Sequence, residues 1–259
     1  MKDAITTLGI ALGTSVAYDV IGVLFINQQD KPVLAALISL LLPTVKYVGR
    51  FVQMSILKEY KEGLDTVIAA FELQFFNTLY IAAFMETVTS PLNILVLMLV
   101  DVVENTFFLY NTHRKARELR LKPHANDGEG RMQLLFRTEL VVLFEFIEVV
   151  TPVIYGVWIT GIFFSTNKKY TTGLETADMD YYSNAMQNLA FLTFAQAISL
   201  ILFVTILTHQ YQLPIFRQLH YALNAYGVSI VALRSLGTGV VFCSRLKHFG
   251  NDYTFDFDY

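Results

Sequence analysis

Apolar runs long enough to cross a lipid bilayer recur along almost the whole chain, and no other feature narrows the possible folds as much. A helical crossing needs about 20 predominantly apolar residues. Runs of this kind lie near 4–26, 33–57, 65–86, 91–111, 132–151, 152–166, 184–208 and 214–242. Backbone groups in lipid must bond within their own segment, so the runs predict helices. The expected fold is all-α, a polytopic transmembrane helix bundle of about eight spans arranged as four helical hairpins. It forms a single domain over 1–242, and residues 243–259 make a cytoplasmic acidic and aromatic tail. The run 152–166 is short, and 132–165 could instead form one long helix kinked at Pro152, which would leave seven spans.

Composition agrees. Charged residues are 16% of the 259, against the quarter usual in soluble domains. Too few charges remain to cover a soluble globule, and 21 Phe with 14 Tyr make the chain too apolar for disorder. A net charge of −3 offers no general attraction to nucleic acid. The single cysteine, Cys243, excludes an intramolecular disulfide and a thiolate zinc site.

Pro32, Pro91, Pro152 and Pro214 each follow an apolar run and a polar break, at separations of 59, 61 and 62 residues. Proline suits the first turn of a helix, where its missing N–H would be unbonded anyway. Each break therefore reads as a hairpin between two spans, and the even spacing suggests an internal repeat.

Basic residues set the orientation. The N-terminus, the loops near 58–64, 112–131 and 167–183, and the C-terminus hold 13 of the 19 Lys and Arg, whereas the hairpins on the other side hold Lys31 alone. Lys and Arg resist translocation, so both termini are expected in the cytoplasm of an integral, multi-pass membrane protein. The 112–131 loop carries Arg114, Lys115, Arg117, Arg120 and Lys122 on a helical extension of the fourth span, positions suited to anionic lipid headgroups.

Ionisable residues inside the spans are the functional candidates. Each is costly at bilayer depth unless it finds a partner, a proton or water. Counting 1.5 Å per residue from the cytoplasmic ends puts Glu72, Asp101, Glu104 and Glu139 roughly 10 to 16 Å deep, with Lys46, Arg50, Arg137 and Arg234 at roughly 8 to 17 Å. Four acids meeting four bases predict an inner polar layer. The outer half lacks that balance: Asp19, Glu86, Glu145 and Glu148 face only Arg217, with His209 and His220 as weak bases. Glu86 and Glu148 are expected near the hairpin mouth. Asp101 with Glu104, and Glu145 with Glu148, are three residues apart and share a helix face.

Catalytic motifs are absent: no His-Glu-x-x-His, no Gly-x-Ser-x-Gly, no Walker loop, and no cofactor or histidine metal site is expected. Gly9 and Gly13 suggest a close helix contact, and Tyr170, Tyr181, Tyr182, Tyr211, Tyr221, Tyr226 and Trp158 an interfacial belt. Two functions remain: a carrier or channel for a cation or proton, or a noncatalytic membrane scaffold or accessory subunit. Homo- or hetero-oligomers fit either.

Overall fold

The computed structural model describes residues 31–57, 64–88, 91–121, 127–171 and 173–211, with isolated positions among 9–28 and 215–238. The described residues are all-α: α1 (Pro32–Ser39), α2 (Leu41–Leu57), α3 (Leu64–Thr87), α4 (Pro91–Leu121), α5 (Asp127–Phe163), a 3-10 turn (Thr166–Tyr170) and α6 (Met179–Tyr211). Three stretches are long and apolar enough to cross a membrane by length and composition: Ile94–Arg114, Val141–Phe163 and Met179–His209.

Pro32 and Pro91 each open a helix, where a missing N–H costs nothing. The expected 33–57 span is divided at Leu40. The second piece carries Pro43 in its first turn, and the Thr44 hydroxyl donates to the Leu40 carbonyl at 2.8 Å. α4 continues past the apolar run to Leu121, as expected for the basic extension.

The hairpin expected at Pro152 does not form. α5 runs unbroken for 37 residues with Pro152 inside it. A proline removes one helical hydrogen bond, and such a loss is tolerated where neighbouring helices and hydroxyls support the backbone. Thr151 supplies one such hydroxyl, donating to the Ile147 carbonyl at 2.8 Å. The polar residue taken as a break, Glu148, is held inside the bundle, so nothing pulls the chain out to water there.

α5 is the central element and packs most extensively against α6 and α3. Phe144, Ile147, Tyr155 and Ile159 of α5 are fully buried with Leu79 and Met85 of α3 and Leu189 of α6. Gly156 lets α6 approach closely, since a Cβ there would sit 3.3 Å from Met186 Cε. Among the described residues Gly9 and Gly13 make no comparable approach: a Cβ at either would meet nothing within 4 Å. The helices also expose large apolar side chains, such as Val103 on α4 (66% exposed) and Ile201 on α6 (64%). Lipid is the solvent that suits them.

Local chemistry fixes the helix ends around α6. Asp178 caps its start, accepting from Tyr181 N–H at 2.8 Å. Before it, Gly173 takes a φ of 85°, a left-handed conformation that turns the chain. Asn188 of α6 reaches the end of α3, donating to the carbonyls of Met85 at 3.1 Å and Val88 at 2.8 Å. Those carbonyls have no further helical turn to bond.

Candidate functional site

Lys46 of α2 is buried, and three carboxylates converge on its ammonium: Asp101 at 3.0 Å, Glu104 at 3.4 Å and Glu148 at 2.8 Å. Asp101 and Glu104 reach it together because a three-residue step returns to the same face of α4. Glu148 arrives from α5. Gln74 of α3 donates to the same Glu148 oxygen that meets Lys46, at 2.5 Å. Four helices thus contribute to one ionic centre.

A second carboxylate on the same face of α5, Glu145, is completely buried. Asn105 of α4 donates to it at 3.1 Å and to the Ser199 hydroxyl of α6 at 2.9 Å. Asn105 follows Glu104 directly, so adjacent residues of α4 serve the two acids of α5. An ionised group in a medium of low dielectric must be met by charge or by donors, and both means are used here.

Glu86, two residues before Val88 at the end of α3, lies apart from this centre. Its carboxylate accepts from the hydroxyl of Tyr155 on α5 and, at 2.9 Å, from that of Tyr181 on α6. Seven residues of α5 separate Tyr155 from Glu148, a rise of about 10 Å.

A small cavity of about 70 Å³ opens beside the ionic centre. Its polar wall consists of Lys46, Thr78, Asp101, Glu148, Gln196 and Ser199. A water molecule occupies about 30 Å³ in the liquid, and this wall supplies the several polar partners that a buried water needs. The Gln196 side-chain oxygen has no hydrogen-bond partner among the described residues.

Lys46, Asp101 and Glu104 come together. Glu148, expected at a hydrated mouth in the outer set, is instead buried against Lys46, because α5 continues past Pro152 and keeps that residue inside. Glu86 is likewise buried instead of hydrated, and its neighbours are phenols. Glu139 lies on α5 nine residues before Glu148, partly buried, and about 13 Å along the axis. Arg217 is exposed, as are His209 and His220. Glu72 and Arg50 belong to α3 and α2, but their side chains lie outside the described residues, as do Asp19 and Arg234 altogether.

An inventory of charges passes over the neutral partners: Gln74, Thr78, Asn105, Tyr155, Gln196 and Ser199. A usable signal did exist, since Gln74 with Thr78 and Gln196 with Ser199 form polar pairs one turn apart in otherwise apolar helices. Tyr181, expected in an interfacial belt, binds Glu86. Among the described residues no group of three or more His, Cys, Asp or Glu is placed to hold a metal ion.

No protein-family model, curated protein or solved structure matches the chain. Membrane embedding is compatible with the three long apolar helices.

Proposed function

We propose that the protein is a multi-pass integral membrane protein that carries a proton or small cation across its membrane through the Lys46 centre, without chemistry on the substrate. The observation that carries this reading is the water-sized cavity walled by Lys46, Asp101 and Glu148 between helices that are apolar outside. Ionisable side chains at such depth are expensive and tend to mark ion or proton pathways. A buried ion pair is often less stabilising than an apolar replacement, so assembly alone gives little reason to keep one. Around the cavity, the carboxylates and the lysine are groups that exchange protons or accept a cation.

The bias of basic residues supports a cytoplasmic N-terminus and cytoplasmic loops at 58–64 and 112–131. Arg114 and Arg117 are exposed on α4 and suit anionic headgroups, together with Lys115, Arg120 and Lys122. Counting α5 as a single crossing gives seven spans and termini on opposite sides, whereas termini that are both cytoplasmic belong to the eight-span arrangement. Protease protection of tags at the two ends distinguishes them, and opposite sides are expected.

The alternative is a scaffold or accessory subunit, in an assembly of like or unlike chains. It draws support from the neutral donors, since Asn105 donates to Glu145 and two tyrosines donate to Glu86. Flux measurement separates the two readings. Purified protein in liposomes should move protons or alkali cations down an imposed gradient, and Glu148→Gln should abolish this while leaving the protein folded. A folded wild-type protein that passes neither under any gradient leaves only the scaffold.

A further inference from the structure

We propose that the cavity beside Lys46 binds a dehydrated monovalent alkali cation, which competes with the Lys46 ammonium for Asp101 and Glu148. The inference deepens the transport reading and rests on it.

Size limits the ligand first. About 70 Å³ admits a bare alkali ion with a water or two, whereas sites for drug-sized organic molecules run to several hundred Å³. The wall then supplies hard oxygen donors. Asp101 and Glu148 contribute carboxylates. Thr78 commits its hydroxyl proton to the Gln74 carbonyl at 2.9 Å, which leaves the oxygen as an acceptor. Protein oxygens of this kind replace the hydration shell of alkali ions in other settings.

Gln196 is an independent observation. It is 9% exposed, lines the cavity, and its side-chain oxygen meets no donor among the described residues. Buried amide oxygens are seldom left this way, and a cation in the cavity would satisfy it.

Charge selects a monovalent ion. Among the described residues the acids are not spaced to chelate a metal between three of them; Asp101, Glu104 and Glu148 point at one ammonium instead. Replacing that ammonium by an ion of the same charge leaves the charge of the centre unchanged. The lysine has a four-carbon stem on which to swing aside.

The test uses the full-length protein in detergent micelles. Its melting temperature is followed as LiCl, NaCl or KCl replaces choline chloride at constant ionic strength. A ligand that binds only the folded state raises the melting temperature, and choline is too large for this cavity. At least one alkali ion should give a saturable rise. Loss of one oxygen ligand in Gln196→Leu should weaken the apparent affinity about tenfold. Lys46→Gln should tighten it by a similar factor of about ten, since the competing charge is gone. Should that variant fail to fold, Thr78→Val keeps every charge and is expected to bind more weakly. The inference is overturned if no alkali ion differs from choline, or if the rise is indifferent to Gln196→Leu. Proton flux that persists without an alkali-specific rise removes this inference and leaves transport standing; absence of both removes both.

Discussion

Glu148 and Glu86 are equally buried carboxylates, yet the partners described for them differ in kind. Glu148 meets an ammonium on a flexible stem and borders a cavity. Glu86 meets two phenols on rigid rings, one of them, Tyr155, completely buried. Hydroxyl donors fix a carboxylate in place and carry no charge that could be traded. An ammonium carries a full charge that another cation can replace. Burial therefore does not identify a working acid, and the nature of its partner does.

Three substitutions would break or sharpen that contrast. The largest effect is expected at Lys46. Lys46→Met removes the charge from among three carboxylates, and loss of one partner from a buried pair costs about 3–5 kcal/mol. Unfolding in mixed micelles should show it, and combination with Glu148→Gln should recover part of the loss. If the double variant is less stable than the single one, the ionic centre is not held by charge. Next comes Tyr155→Phe, which deletes a hydrogen bond to a charged group and should cost about 1.5–3 kcal/mol. Here flux in liposomes should stay at the wild-type level; a loss of flux would mean that the two carboxylate sites work as one. The smallest effect is expected for Gly156→Ala, below about 1 kcal/mol. The new methyl meets the end of a flexible methionine, which can yield by a few tenths of an ångström. A larger loss would show that the α5 and α6 backbones are locked there.

Much of this architecture is readable from the residues, for reasons that also explain the failures. Asp101 and Glu104 repeat at helical spacing, and the depth count places Lys46 at a similar level, so their meeting follows from geometry. Pro152 reads as a helix start, which puts Glu148 at a hairpin mouth, and only the packing of α5 against α3 and α6 keeps the helix going. The division at Leu40 has no strong local signal beyond Pro43. Neutral partners escape notice for a different reason. Asn105 and Gln196 become important only through what faces them on another helix, and hydropathy along one strand of text carries no such information.

Four polar contacts, from Glu148 to Lys46 and to Gln74, from Glu145 to Asn105 and from Tyr155 to Glu86, have one end on α5, and this has a mechanical meaning. Glu148 and Tyr155 are seven residues apart, almost two whole turns, so they point in nearly the same direction from the helix axis. Rolling α5 to swing Glu148 away from Lys46 would drag Tyr155 from Glu86 in the same motion. A machine built this way would treat α5 as its fixed axle. Of the two helices that meet at Lys46 and Glu148, α2 is the shorter, separated from its predecessor at Leu40, with Lys46 six residues beyond the joint.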